Sequence, residues 1–140
     1  MLLLDTNVVS ELLRPSPDRT VEGWVAERPA AELYFSTVGE AELHYGVATM
    51  PAGKRRDMLA LAIEAILREE FKGRILPFDS DAAREYAKIA SARRAAGRSL
   101  APMDCQIAAI ARSRGMAVAT RNVRHFRNTG VEVVNPWTAA

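Results

Sequence analysis

Three carboxylates in this chain stand where a cation-assisted reaction would need them. Asp5 ends the apolar run Met1-Leu2-Leu3-Leu4, Glu42 lies six residues beyond the run Leu33-Tyr34-Phe35-Ser36, and Asp104 follows Pro102 at the mouth of a small-residue helix through Ile107-Ala108-Ala109-Ile110-Ala111. A fourth polar group, Asn122, follows the run Met116-Ala117-Val118-Ala119-Thr120. In an open parallel sheet the ligand crevice lies beyond the carboxyl ends of the strands. Acids delivered there from separate regions of the chain converge, and an uncompensated cluster of acids is costly unless a cation holds it. The four positions therefore point to a divalent-metal site.

Each position also has a plainer reading. Asp5-Thr6-Asn7 follows a strand that would hold the carboxylate rigidly, with Thr6 and Asn7 supplying hydrogen bonds, yet all three residue types also cap helices well. On a helix, Glu40 and Glu42 point about 200° apart, so only one can face inward. Leu43 and Val47 mark the packed face with Glu42 on its border, which favours Glu42 over Glu40. If Pro102 opens a helix, Asp104 is its third residue, where free amides and the positive dipole end favour an ionised carboxylate with or without a further role. Thr120 would end a strand lying beside the first, and Asn122 could orient water or offer its carbonyl to a metal. Arg121, Arg124 and Arg127 follow, with His125 among them. These side chains would contact phosphate or decorate a short surface helix.

The elements that must position these groups alternate between strand-like and helix-like, the pattern of an α/β fold with a mainly parallel, five-stranded sheet. Strands are expected at 2–4, 33–36, 74–78, 117–120 and 131–134. Helices are expected from near Asn7 to the Arg14-Pro15-Ser16-Pro17 breaker, over 18–27, through Val38–Val47, over 54–71, from Asp79 or Ser80 to near Gly97, and from Pro102 to Gly115. The helix over 54–71 carries Met58, Leu59, Ala62, Ile63, Ile66 and Leu67 as its apolar stripe. No repeat, low-complexity tract or linker divides residues 1–140, so one domain is expected.

The composition is that of an ordinary globular protein, 49% hydrophobic and 26% charged. A chain of this size buries roughly 70% of its extended surface and folds without disulfides. The single cysteine, Cys105, has no internal partner, and beside Asp104 it reads as a small buried apolar residue rather than a nucleophile. No signal peptide or membrane-length apolar run is visible, so the expected address is the cytoplasm, away from membranes. The net charge of +2 conceals an asymmetry: residues 1–70 carry 7 basic and 12 acidic side chains, residues 71–140 carry 12 and 5. From Arg93 to Arg127 there are eight arginines and one acid, Asp104. A lone carboxylate in such a segment fits a catalytic group beside a polyanion-binding surface, although arginines also simply solvate helix faces.

Taken together, Leu-Leu-Leu-Asp-Thr-Asn at 2–7, Ala-Glu-Leu…Gly at 41–46, Pro-Met-Asp…Ile-Ala-Ala at 102–109 and Ala-Thr-Arg-Asn…Phe at 119–126 resemble the PIN-domain ribonucleases, specifically the VapC/FitB type of toxin from toxin–antitoxin operons. The resemblance spans nearly the whole chain and extends to Gly73–Phe78 and the closing Asn135-Pro136-Trp137. It implies a PIN-like α/β/α sandwich and a metal-dependent endoribonuclease in which Asp5, Glu42 and Asp104 hold Mg²⁺ or Mn²⁺. The family commonly has a fourth acid where this chain has Asn122. That difference implies a single-metal site dominated by Asp5 and Asp104, with waters completing the octahedron. A metal-activated water would attack an RNA phosphodiester, with Glu42 holding or deprotonating it and Asn122 positioning it. Asn7, Thr120, Arg121 and Arg124 are the candidate substrate contacts, the two arginines as clamps on the RNA backbone. Implied partners are RNA, a small inhibitory antitoxin and a second copy of the chain, with DNA bound only through the antitoxin. Leu12, Leu13, Trp24, Val25 and the helix over 54–71 would form partner grooves or belong to the core.

Two other α/β classes fit poorly. A phospho-accepting receiver wants paired early acids and a lysine at a strand end, and Lys54, Lys72 and Lys88 are elsewhere. A haloacid-dehalogenase-like enzyme wants a second aspartate two residues after the first, where this chain has Asn7. The remaining alternative is a catalytically weak or inactive RNA-binding or interaction module of the same fold, silenced by Asn122.

Overall fold

The computed structural model describes residues 1–139. Its centre is the leucine run of strand β1 (Leu2–Leu4), where successive side chains enter opposite layers: Leu3 joins one apolar cluster and Leu4 another, both almost fully buried. Strands buried on both faces read as unbroken apolar runs because helices cover both sides of a parallel sheet. The remaining strands are β2 (Leu33–Ser36), β3 (Ile75–Leu76), β4 (Ala117–Ala119) and β5 (Val133–Val134). They run in the order β3-β2-β1-β4-β5, and every pairing is parallel. Strand order reverses at β1, with β2 on one side and β4 on the other, which is where such sheets open a crevice.

The helices form two layers. Helix α5 (Ser80–Ala95) and helix α6 (Pro102–Ser113) cover the Leu3 face, where Ile89, Ile107 and Ile110 pack with Val118 and Phe126. Helices α1 (Thr6–Leu12), α2 (Arg19–Ala26), α3 (Thr37–Ala48) and α4 (Lys54–Ala65) cover the Leu4 face through Val8, Val9, Val21, Trp24, Leu43 and Ile63. A short α7 (Val123–Phe126) follows β4. Trp24 is 3% exposed and belongs to the core, which removes it from any partner surface. Leu12, Leu13 and Val25 pack partly buried against the same core. No helix among the described residues is long and apolar enough to cross a membrane.

Three boundaries depart from the sequence expectation. The helix expected over 54–71 stays α-helical only to Ala65 and closes with a wider π turn over Ile66–Glu70, in which the Phe71 amide donates to the Ile66 carbonyl. The strand expected over 74–78 pairs only at Ile75 and Leu76. Pro77, lacking an amide proton, cannot extend the ladder. The strand expected over 131–134 pairs only at Val133 and Val134.

One glycine sets the distance between β2 and α3. A Cβ at Gly39 would lie 2.4 Å from the Phe35 ring, which is fully buried and stacks on Phe71 at 5.5 Å between centroids. Only a residue without a side chain lets the first turn of α3 settle over that ring. Ser36 accepts the Gly39 amide at 2.9 Å as the helix N-cap. The direction of α3, and with it the placement of Glu42 one turn later, is thereby fixed.

Candidate active site

Asp5 is simultaneously the end of the central strand pair and the N-cap of α1. Its amide donates to the Ala119 carbonyl at 2.9 Å, and its Oδ1 accepts the Thr6 amide at 2.8 Å. Its Oδ2 accepts the Thr120 hydroxyl at 2.7 Å and the Asn7 side-chain amide at 3.3 Å. Both readings of the Asp-Thr-Asn sequence are thus realised at once: the carboxylate caps a helix and faces the crevice. Asp5 is 4% exposed, and among the described residues it forms no ion pair with a basic side chain. Its carboxyl is pushed up to about 6, first by burial and then by the negative charges of Asp104 and Glu42, while Thr120 and Thr6 pull the other way. The three acids from three parts of the chain therefore share one electrostatic neighbourhood.

Glu42 is tied to α1, since the Thr6 hydroxyl donates to its Oε1 at 2.7 Å. Glu40 instead lies 3.8 Å from His44 on its own helix, so the inward acid of α3 is Glu42. Pro102 opens α6 and Asp104 falls in its first turn. One Asp104 oxygen, Oδ2, meets His125 Nδ1 at 3.0 Å; the Asp104 side chain is 22% exposed and that of His125 54%. Cys105, next in sequence, is 1% exposed, and burial raises its thiol above the ordinary range. A buried, protonated thiol is no nucleophile.

Two residues expected to meet substrate have side chains engaged with Asp5. Thr120 is fully buried and spends its hydroxyl on Asp5 while accepting the Asn122 amide at 3.0 Å, so it supports the carboxylate rather than touching a ligand. Asn7 is committed in the same way: its Nδ2 also reaches Thr120 Oγ1 at 3.3 Å, and its Oδ1 accepts the Arg121 amide at 3.3 Å. Asn122 enters this network through its backbone; its side chain is exposed and makes no hydrogen bond among the described residues. Arg121 and Arg124 are exposed at the rim. The guanidinium of Arg121 lies over the Trp137 ring, 5.2 Å from its centroid.

Sequence reasoning missed three pairings: Thr6 with Glu42, His125 with Asp104, and Arg121 with Trp137. Nothing in the spacing of these residues announces the contacts, although a histidine three residues after Asn122 in an arginine-rich segment was a weak hint.

An all-oxygen set of carboxylates suits a hard divalent cation rather than a soft one. Asp5 fits that use directly, being a buried acid crowded by two other acids with only neutral donors around it. Among the described residues, however, no three acidic, histidine or cysteine side chains already converge as a ligand set. Glu42 and Asp104 each have an oxygen drawn to a protein donor, Thr6 and His125.

The all-parallel sheet with its reversal of strand order at β1, and the buried Asp5 at that reversal under the charges of Asp104 and Glu42, define a small α/β protein with an acidic centre. The chain belongs to the PIN-domain family, whose sequence profile matches residues 2–132. It is 41% identical over 140 residues to the VapC ribonuclease Y4jK of Sinorhizobium fredii, covering all of both chains. It is 42% identical over 137 residues to the toxin FitB of Neisseria gonorrhoeae, covering 98% of this chain and 99% of that one. It superimposes with a TM-score of 0.93 on a chain from the structure of FitAB bound to an IR36 DNA fragment, at 41% identity, covering 100% of this chain and 98% of that one.

Proposed function

We propose that this protein is a Mg²⁺- or Mn²⁺-dependent endoribonuclease and the toxin member of a toxin–antitoxin pair, acting on RNA in the cytoplasm. The observation that carries the reading is the state of Asp5: a buried carboxyl with two acidic neighbours and no basic partner among the described residues. A divalent cation held by Asp5 and Asp104, with Glu42 as third acid, would offset that charge. The names of the two relatives, a ribonuclease and a toxin, support the same reading.

When bound, the cation would polarise the phosphoryl oxygen and make a water molecule more acidic. The chain's own residues do the rest. Thr120, Thr6 and Asn7 hold Asp5 in one orientation. Glu42, tethered by Thr6, orients the attacking water and accepts its proton. Asn122, whose side chain is uncommitted, positions that water. His125 fixes one oxygen of Asp104, and the other would be available to hold the cation. Arg121 and Arg124 hold the RNA backbone, Arg121 through whatever part of its guanidinium Trp137 leaves open.

An apolar groove of about 920 Å³ between α1, α3 and α4 adjoins the acidic centre at Glu42 and is lined by Leu13, Leu43, Val47, Met58 and Leu59. Its character suits the helix of an inhibitory antitoxin rather than RNA. DNA would then be met through the antitoxin alone. The protein is further proposed to pair with a second copy of itself.

The test is cleavage of structured and single-stranded RNA by antitoxin-free protein in Mg²⁺ or Mn²⁺, and then in chelator, with Asp5→Asn purified identically as the control. Metal-dependent cleavage by the wild type and none by the variant is expected. Equal cleavage by both would sink the assignment. Bound metal without cleavage would favour the second reading, an inactive module, which Asn122 in place of an acid supports.

A further inference from the structure

Beyond the acids, the crevice has a second built feature on its β5 side. Strand β5 stops at Val134, and the following turn is closed tightly: the Trp137 amide donates to Asn135 Oδ1 at 2.9 Å, and the Thr138 and Ala139 amides return to the Asn135 carbonyl at 3.2 and 3.1 Å. Pro136 is buried within it. Trp137 is thereby held just past the carboxyl end of β5, partly buried against the Leu4-side core. The Thr120 amide donates to the Val134 carbonyl at 2.9 Å and clamps the ends of β4 and β5 together. Arg121, the next residue, must emerge beside that turn, and its guanidinium lies over the indole.

This arginine has no carboxylate partner among the described residues, so no neighbouring acid neutralises its guanidinium. Its backbone is fixed instead, through Asn7, to the carboxylate of Asp5. A planar guanidinium backed by an aromatic ring has one face occupied and the other open, with N–H donors around its edge. That is the chemistry of a stacking surface for an unpaired nucleobase, with the edge free for the adjoining phosphate.

We propose that the Arg121–Trp137 pair is a base-stacking platform that seats an unpaired nucleobase next to the phosphate being cleaved. The proposal rests on the ribonuclease reading and adds to it a recognition element separate from the acids. Trp137 reports on the platform directly, because the chain has two tryptophans and the other, Trp24, is sealed in the core at 3% exposure.

The experiment titrates the full chain, in chelator, with a fluorescein-labelled mixed-sequence RNA single strand and with the same strand annealed to its complement. Anisotropy reads binding, and tryptophan emission with unlabelled RNA reads stacking. The single strand should quench emission and the duplex should not. Trp137→Phe should bind with little loss but without the quench, whereas Trp137→Leu and Arg121→Ala should each weaken binding roughly 5- to 100-fold. Should Trp137→Leu fail to fold, Arg121→Lys, which keeps the charge and discards the plane, carries the same test and should weaken binding with the ring in place. Single-strand binding with unchanged emission, equal quenching by duplex, or wild-type affinity in Arg121→Lys would overturn the platform. Such results beside intact metal-dependent cleavage would leave the ribonuclease reading standing, whereas no binding and no cleavage of any RNA by the wild type would overturn both.

Discussion

Thr6 serves two acids at once: its amide donates to Asp5 at 2.8 Å and its hydroxyl to Glu42 at 2.7 Å, joining carboxylates that lie 37 residues apart in the chain. The backbone bond survives any substitution but proline, so the two roles can be separated. Thr6→Val should leave the Asp5 cap intact and free Glu42 to wander, lowering kcat by roughly 10- to 100-fold with KM little changed. Thr6→Ser, which restores the hydroxyl, should recover most of the rate. Equal loss in both variants would mean that the hydroxyl does not hold Glu42 for the reaction.

The carboxyl of Asp5 gives a pH signature of definite sign. Its value in the fold, about 6, lies above the 3.8 of a free aspartate. Folding therefore favours the protonated form, and the stability that this site contributes is complete below about pH 4 and lost as pH rises through 6. In chelator, Asp5→Asn should match the wild type near pH 4 and exceed it by up to ~3 kcal/mol near pH 7, as read from denaturant midpoints. A constant difference across that range would refute the burial argument. A divalent cation should reverse the trend, because it replaces the proton: Mn²⁺ affinity should climb across the same window.

Asn122 has an uncommitted side chain at the rim of an acidic centre. Asn122→Asp adds a fourth negative charge there. Mn²⁺ titration followed by electron paramagnetic resonance should show tighter binding and a stoichiometry rising from one towards two per chain, with faster cleavage. Unchanged stoichiometry and affinity would place position 122 outside the cation's reach.

At Gly39 the expected cost is steric. A methyl group would overlap the Phe35 ring, and because that ring is fully buried and stacked on Phe71 it has little room to yield. Gly39→Ala should destabilise the protein by about 1–3 kcal/mol and weaken activity through displacement of α3. A thermal midpoint equal to that of the wild type would show that the ring gives way at no cost.

The fold was legible where burial dictates composition. Leu2–Leu4, Leu33–Phe35 and Ala117–Ala119 are apolar throughout because helices cover both faces of the sheet, and runs so short between turn signals favour strands over helices. Legibility failed at the ends. Pro77 sits in an extended run but cannot pair, and the helix leading to Phe71 widens into a π turn that carries this ring onto Phe35, a contact visible only in three dimensions. The acids of the site were readable because each follows a strand or opens a helix. Their partners were not: Thr6 and Glu42 are separated by 36 positions, His125 and Asp104 by 21. Burial likewise turned Thr120 from an expected ligand contact into an internal support, since the residue that ends a central strand faces its neighbours before it faces solvent.

The amide of Asp5 is the last rung between the two central strands, bonded to the Ala119 carbonyl. Fraying at the rim cannot dislodge that acid while the sheet persists, so displacement of Asp5 by heat or denaturant should coincide with collapse of the whole architecture. An inhibitor that leaves the sheet intact therefore leaves Asp5 in place, and its release returns that acid without any refolding delay.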